Sequence, residues 1–342
     1  AAGQAGAWLL TDLLEEVVCH APADWAASLK RLEAAARSGA WVALAASYEL
    51  GYVIEPRLAR HLPPDAGPLL TGWIFRHAEW LSDAACDAWL AARAGSDAGC
   101  TGALQPNIEE ADYLKQIDRI RRYIADGDCY QVNFTFPLTG QAFGNPAALY
   151  RALRAAQPVR YGAFIAHAGG AILSRSPELF LARNGSHLAS EPMKGTAPRN
   201  TDPARLAASE KDRAENVMIV DLIRNDMGRL APPGGVRVEN LCRIEAYPTV
   251  WQMTSRVVAE PVDADLATLF GALFPCGSIT GAPKIRAMEI IRELEDTPRG
   301  LYCGALGWLR PGGDFRFSVP IRTLLLDAAG TARLNVGSGV VH

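Results

Sequence analysis

Several stretches of this sequence set reactive side chains where chemistry would need them. In Ser190-Glu191-Pro192-Met193-Lys194-Gly195-Thr196, a lysine stands between Pro-Met and Gly-Thr, next to apolar strand-like residues. Such a lysine is either an ordinary surface-loop amine or a desolvated one. Burial lowers an amine's pKa and frees its lone pair as a nucleophile. Ser176-Pro177-Glu178-Leu179-Phe180 places an acid ahead of an apolar strand. Glu178 is either a plain turn carboxylate or a general acid with a raised pKa. Farther on, Asp212, Glu215, Ile219, Leu222 and Asp226 fall on one stripe of a helix expected over Ala204–Met227. That helix is apolar almost all round, through Val217, Met218, Ile219, Val220, Leu222 and Ile223, and is expected to be buried. A carboxylate on its buried stripe needs a cation or several donors. Arg213, Arg224 or Arg229 would serve, and so would a hard metal ion. Carboxylate-only ligation favours Mg²⁺, which keeps several waters and takes substrate oxygens as well. Finally, Gly277-Ser278-Ile279-Thr280-Gly281-Ala282-Pro283-Lys284 runs a small-residue loop into a helix with proline in its first turn. Free N–H groups there suit an anion. The loop is not a nucleotide-binding P-loop, because no Gly-Lys-Ser/Thr follows at the required offset.

The elements that must position these groups can be read from periodicity and punctuation. A helix is expected around Trp25–Arg37, then strands at Trp41–Ser47 and Leu70–Phe75, with Pro63–Gly67 a loop between them. Gly95–Gly102 reads as a linker. It divides an N-terminal part, residues 1–102, from a catalytic region, residues 103–342. An amphipathic helix opens after Ile108, with Tyr113, Ile117, Ile120 and Ile124 on one face and Gly127 closing it. Beyond it, strands are expected at Tyr130–Leu138, Gly162–Ala166, Ala171–Ser174, Leu179–Ala182, Gln252–Val258, Leu301–Leu309, Phe315–Leu326 and Ala332–Val336. Further helices are expected at Pro146–Ala156, Asp265–Leu273 and Pro283–Leu294. Consecutive strands without crossover helices predict antiparallel sheets in an α+β fold.

Composition narrows the function classes. The 342 residues are 49% hydrophobic and 21% charged, which suits a large core, and the net charge of −3 carries no basic excess for nucleic acid. No apolar run reaches the roughly 20 residues that a bilayer span needs, and Ala1–Leu14 lacks the basic start of a signal peptide. Seven widely scattered cysteines form no CxxC pair or zinc spacing, which points to a reducing, cytoplasmic setting.

Taken together and in order, these motifs resemble the chorismate-utilising superfamily of anthranilate, aminodeoxychorismate, isochorismate and salicylate synthases. The matching stretches run from Tyr130-Gln131-Val132-Asn133 through Ser176–Glu178, Pro192–Thr196, Asp212–Asn216, Val220–Asp226 and Gly277–Lys284. They continue with Tyr302–Gly307, Ile321-Arg322 and Gly337-Ser338-Gly339, while Ser47–Tyr52 matches the aminodeoxychorismate branch more loosely. The resemblance implies two antiparallel sheets with helices packed outside, a central site for chorismate, and Mg²⁺. It implies that Glu215 ligates the metal with Asp212 nearby. Tyr302 and Arg322 would hold the enolpyruvyl group, with Gly337 and Gly339 cradling its carboxylate. Thr280, Gly281 and Ala282 would contact the ring carboxylate, and Glu178 would be the acid that assists loss of the 4-hydroxyl.

Two positions separate the branches. Anthranilate synthases carry a small residue where this chain has Lys194. Isochorismate and salicylate synthases carry a water-activating lysine where it has Gln131, and a neutral amide cannot act as a base. Both positions favour 4-amino-4-deoxychorismate as product, with Lys194 attacking C2, over the alternative of an anthranilate synthase component I. Gln252 stands where anthranilate synthases place a histidine. The sequence stops at Val341-His342, where the family pattern continues into an acidic segment with a second metal-ligating glutamate, so the C-terminal end is expected to be incomplete. No glutaminase nucleophile motif is present. The resemblance therefore implies a glutamine amidotransferase partner supplying ammonia, and a downstream aminodeoxychorismate lyase, separate or fused.

Overall fold

The structure, a computed structural model, describes residues 5–341. Among the described residues the strands form a ten-stranded and an eight-stranded sheet, with antiparallel pairing throughout. The expected α+β class therefore holds. The ten-stranded sheet joins the N-terminal strands to strands between Leu179 and Ser318, while both ends of residues 103–342 lie in the eight-stranded sheet. Trp41–Ala46 pairs with Leu70–Ser82 on one side and with Ala305–Leu309 on the other. Trp41–Ala46 is apolar without alternation because both of its faces are covered. Leu44 and Ala46 join a core with Leu29 and Leu32 of helix Trp25–Arg37 and Leu269 and Phe270 of helix Leu266–Leu273. Ala43 and Ala45, with Trp73, pack instead against Ile172, Ile165 and Leu325 of the second sheet. The sheets thus lie face to face with helices outside. Helices Asp83–Ala94 and Pro146–Ala156 cover the far side of the second sheet through Leu90, Leu149 and Tyr150.

The helix Glu110–Ala125 buries Ile120 with Tyr113, Ile117 and Ile124 beside it, and Gly127 follows with φ 83°. Other expectations need correction. The helix expected over Ala204–Met227 is two helices, Pro203–Ala208 and Glu210–Gly228. Ser209 divides them: its hydroxyl accepts the Asp212 N–H at 3.3 Å and starts the second helix as an N-cap. That second helix is not buried all round, since Val217 is 44% exposed. The apolar letters span its circumference, but only one stripe has a sheet to face. The Gly95–Gly102 linker contains a short strand, Gly99–Thr101, paired with Gln131–Gly144. In Leu301–Leu309 only Ala305–Leu309 is strand. Phe315–Leu326 is two strands, Phe315–Ser318 and Thr323–Asp327, one in each sheet. The chain crosses between sheets at Val319–Arg322, and that crossing helps to build the site.

A buried ion network ties the two parts of the chain together behind that crossing. Arg299, 2% exposed, donates to Glu295 at 2.7 and 2.8 Å, to the Asn133 carbonyl at 2.6 Å and to the Ile279 carbonyl at 2.9 Å. Glu49 accepts the backbone N–H groups of Arg299 at 2.7 Å and Gly300 at 3.0 Å. The Ser47–Tyr52 motif thus anchors the turn that leads into Tyr302. Removing one partner of such a buried pair costs about 3–5 kcal/mol.

Candidate active site

Strand Gln131–Gly144 lies between Thr331–Val340 on one edge and Gly281–Ala282 on the other. Gly337 stands opposite Thr135, Gly339 opposite Asn133 and Ala282 opposite Gln131. An added Cβ at Gly337 would meet the Phe134 carbonyl oxygen at 2.4 Å. At Gly339 it would lie 2.8 Å from Gln131 Nε2 and 3.6 Å from Lys194 Nζ. The amide of Gln131 and the amine of Lys194 therefore converge over bare backbone. Gly281 is required for a different reason. Its φ is 147°, and a Cβ there would sit 2.1 Å from the Gln131 carbonyl oxygen.

Lys194 belongs to strand Met193–Pro198 of the other sheet. Burial pushes its amine below the ordinary lysine value, against the pull of the Glu178 and Glu215 carboxylates and the thiols of Cys276 and Cys303. Glu178 sits in the turn between strands Gly170–Ser176 and Leu179–Asn184. The Ser176 hydroxyl holds that turn, accepting the Glu178 N–H at 3.3 Å and donating to the Val319 carbonyl. Burial pushes the Glu178 carboxyl up to about 7, against the Ser278 hydroxyl, the Lys194 charge and the Met193 N–H. Both shifts favour the neutral forms, so acid and amine share a proton economy that neither would have alone.

Arg322 ends the crossing between sheets with a left-handed φ of 52°, rare for a non-glycine residue. Its carbonyl accepts the Arg175 N–H at 3.0 Å, and burial lowers the guanidinium's pKa against Tyr247 and Glu178. Tyr302 is buried in the preceding turn, which docks on the crossing through the Cys303 N–H to the Pro320 carbonyl at 3.3 Å. Burial also pushes the Tyr302 phenol well above its ordinary value.

The Thr280 hydroxyl donates within its own loop, to the carbonyls of Gly277 at 3.2 Å and Cys276 at 3.3 Å, so its proton is held by the turn. Lys284 is likewise structural. Its amine pairs with Asp226 at 2.6 Å and with the Leu273 carbonyl at 3.1 Å. Asp226 also pairs with Arg229 at 2.9 Å, so the salt-bridge reading holds for that carboxylate. The helix that follows begins at Lys284, with Pro283 as its N-cap.

Glu215 and Asp212 face the lysine strand from helix Glu210–Gly228. A Cβ on Gly195 would lie 2.9 Å from Asp212 Cβ. Glu215 is 4.0 Å from Lys211. Among the described residues no three His, Cys, Asp or Glu side chains gather closely enough to form a metal cage. Two carboxylates about one helical turn apart fit Mg²⁺ bound in the open manner, with waters and substrate oxygens completing the shell.

Sequence reasoning missed Asn216 and the part played by Gln252. The Asn216 side-chain amide oxygen accepts from the Ser255 hydroxyl and the Cys242 thiol, locking the helix to the sheet one residue after Glu215. Both partners are distant in sequence, so spacing carried no signal. The buried polar atoms with no hydrogen-bond partner among the described residues include both amide atoms of Gln131, Glu178 Oε1, Asn216 Nδ2 and Arg322 Nη1. Gln131, Glu178 and Arg322 belong to the constellation above. Unsatisfied groups gathered in this way mark a site for a polar ligand.

The sequence matches the chorismate binding enzyme family over residues 15–342, and the chain belongs to that family. It is 42% identical over 265 residues to aminodeoxychorismate synthase component 1 of Klebsiella aerogenes, covering 74% of this chain and 58% of that protein. It is also 42% identical over 263 residues to anthranilate synthase component 1 of Streptomyces coelicolor, covering 74% of this chain and 51% of that protein. The chain therefore spans little more than half the length of these relatives. The fold is that of anthranilate synthase component I from Streptococcus pneumoniae TIGR4, with a TM-score of 0.83 at 22% identity, covering 100% of this chain and 88% of that one. The menaquinone-specific isochorismate synthase of Escherichia coli gives a TM-score of 0.73 at 18% identity, covering 98% of this chain and 80% of that one.

Proposed function

We propose that the chain makes 4-amino-4-deoxychorismate from chorismate and ammonia, toward p-aminobenzoate and folate. The observation that carries the reading is the convergence of Lys194 and Gln131 over Gly339. Of the two positions that separate the branches, the one bearing the amine is the one tied to amination. The near-equal identity to an anthranilate synthase component leaves the choice to that pair.

In this reading the neutral Lys194 amine attacks C2 of the ring. The ring double bonds shift, and the C4–oxygen bond breaks. Glu178 gives its proton to the departing hydroxyl, which leaves as water. Ammonia then adds at C4, the double bonds shift back, the C2–nitrogen bond to Lys194 breaks to release the neutral amine, and the C4 ammonium returns a proton to Glu178. The net exchange is hydroxyl for amine. Arg322 and Tyr302 hold the enolpyruvyl group, and the bare backbone of Gly337 and Gly339 leaves room for its carboxylate. Thr280, Gly281 and Ala282 border the ring carboxylate. Mg²⁺, when held by Glu215 with Asp212 beside it, would neutralise carboxylate charge on the substrate. A glutamine amidotransferase partner would supply ammonia, and an aminodeoxychorismate lyase would act on the product. The seven free cysteines suit a cytoplasmic setting. Among the described residues no helix is long and apolar enough to cross a membrane.

The test is product analysis with chorismate, Mg²⁺ and ammonium, with and without added lyase. p-Aminobenzoate formed only with the lyase is the expected result, and fluorescent anthranilate would overturn the assignment. In the same assay Glu215→Gln is expected to raise the Mg²⁺ concentration for half-maximal rate at least tenfold, within the roughly 10–100-fold range of disturbed metal sites. An unchanged Mg²⁺ titration would remove Glu215 from the metal.

A further inference from the structure

We infer that Gln252 is a positioning residue for Lys194, acting through a β-bulge whose C-terminal end it clamps with both atoms of its amide. The inference rests on the proposed role of Lys194. Strand Met193–Pro198 pairs with Val250–Ala259, Met193 opposite Thr254 and Thr196 opposite Gln252. Between those pairs the first strand advances by one residue more than the second, so Lys194-Gly195 forms a bulge. Bulges near active sites re-aim side chains. Here the ladder is broken at the residue whose direction matters.

An open bulge leaves backbone groups unpaired, and Gln252 takes up one of them along with a neighbouring hydroxyl. Its Nε2 donates to the Gly195 carbonyl at 2.8 Å, and its Oε1 accepts from the Thr196 hydroxyl at 3.0 Å. Gln252 is itself fixed. It is 7% exposed and lies on a strand paired on both sides, opposite Thr196 and Glu245. Gly195 has φ 88°, and a Cβ there would crowd Asp212. Amide clamp, glycine and aspartate together leave the Lys194 backbone one arrangement, with Nζ over Gly339. An amide is the shortest group that offers a donor and an acceptor side by side. Nucleophilic attack needs reacting atoms about 3–3.5 Å apart, and a misplacement of about 1 Å costs roughly 100-fold.

The test compares Gln252→Met, which keeps the length and loses both bonds, with Thr196→Val and Thr196→Ser. Turnover with ammonium is measured for each, with melting temperature as a check on folding. Gln252→Met is expected to lower kcat about 10- to 100-fold with KM for chorismate within about threefold. Thr196→Val should lose several-fold, and Thr196→Ser, which keeps the hydroxyl, should restore the rate. In a Lys194→Ala background, Gln252→Met should cost the residual rate nothing further, because a positioning residue has nothing left to position. Full kcat in Gln252→Met, or an equal fold-loss in both backgrounds, would overturn the inference while leaving the nucleophile in place. If Lys194→Ala itself keeps full turnover, the proposed function's nucleophile fails, and this inference falls with it. Should Gln252→Met not fold, the Thr196 pair decides: equal rates for Val and Ser would overturn the clamp.

Discussion

Lys194→Ala should lower aminodeoxychorismate formation by roughly a thousandfold or more at saturating chorismate, because a covalent step has no substitute of equal proximity. Its melting temperature should stay level or rise. An amine that burial drives toward its neutral form is a cost to the folded chain, and a functional site can carry such a cost. Added methylamine, at fixed ammonium, tests the point further. Rescue by an external amine at high concentration would show the pocket intact and the nucleophile alone missing. Turnover near the wild-type level would mean that ammonia attacks C4 directly, and would take Lys194 out of the chemistry.

Glu178→Gln should lower the rate by roughly 10²–10⁴-fold, the usual share of a general acid. It should also remove a limb of the pH profile. The carboxyl is held near 7 in the folded chain, so it is protonated below that pH and loses its acid function as pH rises through it. Wild-type kcat/KM attributable to this acid should therefore fall above about pH 7, and the glutamine variant should lack that fall. Stability moves in the same window. The carboxyl's ordinary value is 4.5, so between 4.5 and about 7 the folded chain keeps a proton that the unfolded chain gives up. Its contribution to stability therefore declines as pH rises across that range. Chemical denaturation at pH 5 and pH 8 should show a smaller drop for Glu178→Gln than for the wild type. Equal drops would mean that Lys194 holds the proton across the range.

How much of this was legible in the sequence depended on the range of the interaction. The helix at Glu110–Ala125 was legible because its apolar stripe and terminal glycine are local signals. The strand Gly6–Cys19 was not. Its register slips between Leu13 and Glu15, which scrambles the alternation that marks a strand. Val236–Ala246 hid in the same way, with left-handed Asn240 and Cys242 at its own irregularity. Met193–Pro198 carries a Lys-Gly bulge and was not among the expected strands. At the site the motifs supplied Lys194, Glu178, Glu215 and Arg322, whose residue types are informative wherever they stand. Gln252 and Asn216 could be placed by motif but not by contact, because their partners are brought from other strands. The hydroxyl of Thr280 shows the converse. Its position in the motif was plain, but the turn to which it gives its proton was not.

The place of Trp41–Ala46, between Leu70–Ser82 and Ala305–Leu309, bears on how the chain must be made. On the ribosome this alanine-rich strand emerges long before Ala305–Leu309, so one of its two edges must wait for its mate. Until then it offers a bare row of amides and carbonyls to any neighbour with a free edge. Cutting the chain at Gly95–Gly102 would make that exposure permanent for Ala305–Leu309. The uncovered edge would then be a template for aggregation, so the first hundred residues guard the sheet as well as extend it.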